Sequence, residues 1–253
     1  MVGKAAVAAP NRTCTPTIPS VGRAVSGQAA LTVLTAEIVA CRACPRLVDW
    51  RERVAREKRA AFRDEPYWGR PVPGFGDPGA RVLVVGLAPA AHGGNRTGRI
   101  FTGDRSGDWL FGALHRTGYA NQATSVRADD GLELRDAYVA AAVRCAPPAN
   151  KPTPGERDRC MPYLVRELSL LERVRVIVVL GKFAYDATAR VLAESGSPMP
   201  SPRPPFGHGV EVVTDRAIVV GCYHPSQQNT FTGKLTESML DDVFARARVL
   251  SDD

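Results

Sequence analysis

The sequence predicts an α/β fold in three layers, α/β/α, around a central four-stranded parallel sheet. Two observations predict it. Four short runs rich in Val and Ile, at 81–87, 139–143, 174–180 and 217–222, lack polar alternation, as expected of parallel strands covered on both faces. Between and after them the spacing becomes helical, at 109–116, 154–173, 183–194 and 235–250. Strands alternating with helices imply right-handed crossovers and a parallel sheet.

Taken in order, residues 1–28 are rich in Ala, Pro, Thr, Ser and Gly, and the first acidic residue is Glu37. With no regular period, this segment reads as a disordered basic arm, and residues 29–253 as one domain. Leu31, Leu34, Ile38 and Val39 form a helical stripe that ends at the turn Cys41-Arg42-Ala43-Cys44-Pro45. A charged helix is predicted over 47–62. Positions 42–70 hold nine basic and five acidic residues, which reads either as a solvated face or as a surface tracking phosphates. The helix from 154 opens on Thr153-Pro154-Gly155-Glu156, a capping box with Pro at the first helical position.

Composition narrows the function. Lys and Arg number 33 against 26 Asp and Glu, a net charge of +7, which suits a polyanionic partner. The apolar runs are too short to cross a bilayer, so no membrane role is expected. Six cysteines in a chain of 253 residues without an apolar leader suggest reduced thiols in a cytoplasm, where clustered cysteines more often hold metal.

In a parallel sheet, ligands bind beyond the carboxyl ends of the strands. That rule directs attention to four places: the loop after Leu87, the segment after Arg144, Gly181-Lys182, and the loop after Tyr223. Cys41 and Cys44 form a C-x-x-C, Cys145 follows after 100 intervening residues, and Cys160 after 14 more. Four thiolates suit a tetrahedral zinc or a 4Fe-4S cube. A single C-x-x-C leans toward the cube, but spacing alone leaves both open. Cys14 in the arm and Cys222 at a strand end are read as non-ligands.

The loop 86–104 contains five glycines, which let backbone amides approach a ligand, and it runs into a helix start that favours negative charge. Neither glycine-rich nucleotide motif is present. The second loop reads Tyr223-His224-Pro225-Ser226-Gln227-Gln228-Asn229. His224, stiffened by Pro225, is a candidate electrostatic or proton-transfer group. No arrangement for covalent hydrolysis is visible.

Over positions 36–248 the chain resembles the uracil-DNA glycosylase superfamily. Gly86-Leu87-Ala88-Pro89-Ala90 is similar to its first motif, His224-Pro225-Ser226 to its second, and Cys41, Cys44, Cys145 and Cys160 to the cluster ligands of its 4Fe-4S branches. The uracil-specialised iron–sulfur branch has Glu where this chain has Leu87, and a base-reading Asn where it has Ala141. These departures, with Arg96-Thr97-Gly98 and Phe101-Thr102-Gly103-Asp104, resemble family 5, whose members accept uracil and other deaminated or modified bases. The second motif continues as Gln227-Gln228-Asn229, which is not its commonest form.

The resemblance implies a monofunctional repair glycosylase, a monomer of the prokaryotic cytoplasm and nucleoid. Its partner would be double-stranded DNA containing uracil or other deaminated bases. The target base would be flipped into a pocket. His224 and the amides of Gly86, Leu87, Ala88 and Ala90 would stabilise the departing base, with Pro89 shaping the loop. Asp104 would hold water or steady the sugar cation, although an Asp before a helix is also a common N-cap. Phe101 would stack on the base, Asn150 would contact it, and side chains between Ser226 and Asn229 would fill the gap in the stack. Two other readings are a damage-binding protein without turnover and a zinc-stabilised nucleotide hydrolase.

Overall fold

The computed structural model describes residues 27–252. Most of the predicted arm, and Cys14 with it, lies outside them. The first helix, α1 (Gly27–Ala40), begins two residues before the predicted domain boundary, and α2 (Pro45–Glu57) follows the Cys41–Cys44 turn. After α2 the predicted long helix stops at Lys58, which has φ 55°, and resumes only as a single 3-10 turn at Ala60–Phe62.

The four predicted strands form, as β2 (Val82–Gly86), β3 (Ala137–Ala141), β4 (Val176–Leu180) and β6 (Ile218–Cys222). All are parallel to their neighbours in this set. The sheet has six strands rather than four, because β1 (Phe75–Gly76) and β5 (Glu211–Val213) add antiparallel edges in the order β1-β3-β2-β4-β6-β5. A strand of two residues carries no readable period. In β5 only Val212 is buried, with Glu211 and Val213 exposed.

The remaining helices are α3 (Gly94–Thr97), α4 (Arg105–Arg116), α5 (Pro154–Leu170), α6 (Lys182–Glu194), α7 (Gln227–Phe231) and α8 (Glu237–Asp252). Alternation along each strand sends neighbouring side chains to opposite faces. Val82, Val84, Val139, Val176 and Val178 meet Leu110 and Phe111 of α4 and Val243 and Phe244 of α8. Leu83, Val85, Tyr138, Ile177 and Val179 meet Leu164 and Leu168 of α5 and Tyr185 and Leu192 of α6. Both faces are dry, which is why the strands lack polar alternation. The capping box at α5 forms as predicted, with Thr153 and Glu156 exchanging hydrogen bonds.

Candidate functional site

Two sites lie beyond the carboxyl ends of the strands. The first is a cavity lined by Cys41, Cys44, Cys145 and Cys160 with Arg51, Arg144, Arg159 and Tyr163. Cys41 follows α1, Cys44 caps α2, Cys145 continues the line of β3, and Cys160 sits on α5. Donors surround the sulfurs. Arg51 Nη1 donates to Cys145 Sγ at 2.8 Å, the Arg144 amide to Cys160 Sγ at 3.3 Å, and Arg159 Nε to Cys44 Sγ at 3.4 Å. The Tyr163 hydroxyl bonds Cys41.

Arg51 Nε and Arg144 Nε are buried without an acceptor among the described residues. Unpaired buried donors are costly, and two of them beside four thiols suit an anionic occupant. As it stands, no group of three or more His, Cys, Asp or Glu among the described residues is arranged to hold a metal ion; the thiols ring a cavity instead. Arg144 is anchored from behind by Glu167, each 1% exposed. Cys222 packs in the core under α4 and α8 and does not line this cavity.

The second site, which we read as a cleft, lies where the loops after β2 and β6 meet. At its base is Phe101, a buried member of the core, whose ring is pressed on the backbone of β2: a Cβ on Gly86 would lie 2.7 Å from two ring carbons. The same ring faces His224, with centroids 6.0 Å apart and planes inclined by 37°. Gly86 and His224 therefore meet through one side chain. Phe101 has φ 53°, a left-handed conformation that costs about 1–2 kcal/mol for a residue with a Cβ.

Two buried arginines hold this strained turn. Arg96 donates to His92 O at 2.8 Å and Gly103 O at 3.0 Å and pairs with Glu65. Arg99 donates to Thr102 Oγ1 at 2.9 Å and Ser125 Oγ at 2.8 Å, and grips both oxygens of Asp130.

Asp104 caps α4, its Oδ1 accepting from the Gly107 amide at 3.0 Å. Its other oxygen lies against the loop backbone, so close that a Cβ on Gly93 would sit 2.1 Å from Oδ2. Burial raises the carboxyl above the ordinary aspartate value, against the pull of the Gly107 and Ser106 amides. His224 is half-buried and has no side-chain hydrogen bond among the described residues. Burial lowers it to about 4, so the ring is neutral near pH 7. The amides of Ala88 and Ala90 likewise find no acceptor among the described residues.

The other predicted residues are placed as follows. The Gly86 and Leu87 carbonyls accept from the Ala142 and Val143 amides at 2.9 and 3.0 Å, which sets the loop beside β3. Pro89 is buried against Gly94. Ser226 caps α7, and Asn229 Nδ2 donates to His224 O at 2.8 Å, so both brace the loop. Asn150 stands exposed on the turn Pro148–Asn150, its side chain unpaired among the described residues. Arg42 and Arg46, within the basic stretch, are paired with Glu52 and Glu156. Sequence reasoning missed the donors Arg51, Arg144, Arg159 and Tyr163. The only signal for them was their nearness in sequence to cysteines or on the same helices.

A family model described as "Uracil DNA glycosylase superfamily" matches residues 73–248. The type-5 uracil-DNA glycosylase of Mycobacterium tuberculosis is 55% identical over 227 residues, covering 89% of this chain and 83% of the relative. That of Mycobacterium leprae is 55% identical, covering 89% and 97%. The type-5 uracil-DNA glycosylase of Thermus thermophilus is 51% identical over 215 residues, covering 85% and 95%.

Proposed function

The chain belongs to the uracil DNA glycosylase superfamily and, within it, to the type-5 family, and from this premise we propose that it hydrolyses the N-glycosidic bond of uracil and other deaminated bases in double-stranded DNA. The observation that carries the reading is the shared ring of Phe101, which joins Gly86 to His224 across the cleft. An aromatic floor between two strand ends suits an extruded base. Its stacking on Phe101 partly offsets the few kcal/mol needed to unstack it.

As the bond stretches, the sugar gains positive charge and the base leaves as an anion. The free amides of Ala88 and Ala90 and the neutral imidazole of His224 can donate to it, each donor contributing about 3 kcal/mol. A neutral donor suits this task, since it favours the anion without transferring a proton beforehand. Asp104 carries the matching half of the chemistry. Its carboxylate accepts a proton from the water that adds at C1′, and its charge steadies the sugar cation. Leu87, being aliphatic, takes no part in activating water. Attack by water rather than by an amine would leave the strand intact.

Cys41, Cys44, Cys145 and Cys160 would hold a 4Fe-4S cluster, whose anionic charge the orphaned Arg51 and Arg144 donors would complement. When bound, such a cluster supplies a rigid cross-link among α1, α2, β3 and α5, because hydrolysis exchanges no electron. Iron and sulfide analysis of the purified protein tests this ligand set. Uracil release from a duplex oligonucleotide, without strand cleavage, tests the activity. Persistent complexes with no free base would favour the damage-binding reading instead.

A further inference from the structure

His224 is aimed chiefly by its backbone. Its ring forms no hydrogen bond among the described residues, and the ring of Phe101 lies beside it. The chain on either side is held at several points as it leaves the sheet. β6 makes its last ladder pair at Cys222, whose carbonyl accepts from the Gly181 amide at 2.8 Å. The His224 carbonyl accepts from the Asn229 side chain at 2.8 Å. Between these two points the Tyr223 amide has passed beyond the ladder, and its acceptor is a side chain: Nδ1 of His208, at 3.2 Å.

His208 lies on the segment that leads into β5, and this segment is pressed on the end of β6. The Gly209 amide donates to the Gly221 carbonyl at 2.7 Å, and the Gly221 amide to the Val210 carbonyl at 2.8 Å. A Cβ on Gly221 would lie 2.3 Å from the Gly207 carbonyl oxygen, so only glycine permits this approach. On the side of α8 the Met239 carbonyl accepts from the His208 ring. A ring that accepts at Nδ1 and donates from Nε2 is neutral and held in one tautomer. Burial keeps it so, lowering His208 below its ordinary value against the pull of the Met239 carbonyl and of Asp242. The Tyr223 ring is enclosed as well, with the Phe206 centroid 6.3 Å, the His208 centroid 5.1 Å and Lys234 Nζ 4.8 Å from its own centroid. We propose that His208 is a positioning residue for base release: by taking the Tyr223 amide it sets the direction in which the backbone presents His224. The proposal rests on the base-excision reading above. Misplacing a reacting group by about 1 Å can cost on the order of a hundredfold in rate, so the loss of an anchor one residue from His224 is felt in the chemical step and not in DNA binding.

The test removes one half of the ring's bonding at a time in the full chain. In His208→Asn the amide oxygen can stand where Nδ1 stood, whereas in His208→Gln the amide nitrogen can stand where Nε2 stood. Asn therefore keeps an acceptor for Tyr223, and Gln keeps a donor for Met239. Single-turnover release of uracil from saturating duplex should stay within about threefold in His208→Asn and fall by about ten- to a hundredfold in His208→Gln and His208→Ala. Affinity for the duplex should stay within about threefold in every variant. The contrast between Asn and Gln decides the matter even if the Ala variant does not fold. Nitrogen-15 NMR of histidine-labelled protein reads the anchor without any reaction: the signals lost in His208→Asn should show Nδ1 unprotonated and Nε2 protonated near pH 7. The opposite tautomer, equal losses in His208→Asn and His208→Gln, no loss in any variant, or a loss confined to DNA binding would overturn the proposal. If the tautomer is as expected but the unaltered protein releases no uracil, the base-excision reading has failed and the catalytic role falls with it. Uracil release alongside the opposite tautomer sinks the proposal alone.

Discussion

The cysteine cavity and the cleft over Phe101 lie against the same sheet but are built in opposite ways. At the cavity, donors converge on each sulfur, and the arginines are anchored by buried carboxylates: Arg144 by Glu167, and Arg46 of the neighbouring helix by Glu156. At the cleft, fewer of the polar groups are matched, and Asp104 keeps only its capping bond. His224 has no side-chain partner among the described residues, Asp104 is held above its ordinary pKa, and the backbone at Phe101 is strained. A site for a resident group can be satisfied in advance. A site for a passing substrate must keep its interactions unmade and store their cost elsewhere in the fold.

The sharpest way to break this contrast is Asp104→Asn. Asn is as good an N-cap as Asp, so α4 keeps its cap and the melting temperature should hold. Single-turnover base release should nevertheless fall by about 10²–10⁴-fold. An active Asp104→Asn protein would reduce the residue to a cap. In the unaltered enzyme, release should fall with decreasing pH at a point above the ordinary aspartate range, because the working carboxylate titrates high.

At the other site, Arg144→Met leaves Glu167 buried without its partner and should cost about 3–5 kcal/mol in urea unfolding. It should also lower the iron content of the purified protein. A stability unchanged within about 1 kcal/mol would show that this pair does not anchor the cavity.

His224→Ala should slow base release by about 10²–10³-fold, with the loss in the chemical step rather than in DNA binding. The smallest effect is on stability and separates the same residue's two aspects. Its folded pKa of about 4 lies below the unfolded value of 6.5, so the unfolded chain binds the extra proton between them. Its contribution is therefore complete above pH 6.5 and is lost as pH falls toward 4. Urea unfolding across that range should show a slope that His224→Gln removes.

Much of this was legible in the sequence because identity or position reported it. The four central strands declare themselves by dryness on both faces, and the cysteines by chemistry. The loops after β2 and β6 are found by the rule that places ligands at the carboxyl ends of parallel strands. The edge strands were not legible, since two or three residues have no period. Nor was the break at Lys58, where the chain turns left-handed in a stretch of good helix formers. Arg51 sat in a basic stretch that reads as a solvated face or a phosphate-tracking surface, and nothing in the sequence marked Arg144. Only three-dimensional packing shows that they are buried, and that Arg42 and Arg46 are already matched by acids.

The two regions share a short piece of backbone. Beyond its last paired residue the chain of β3 runs on from Ala142 to Cys145, and on the way the Ala142 and Val143 amides hold the Gly86 and Leu87 carbonyls. This stretch thus carries a thiol at one end and the wall of the cleft at the other. Those four residues are short enough that a displacement at Cys145 is expected to be felt at the Leu87 carbonyl, so the two regions should not tolerate change independently.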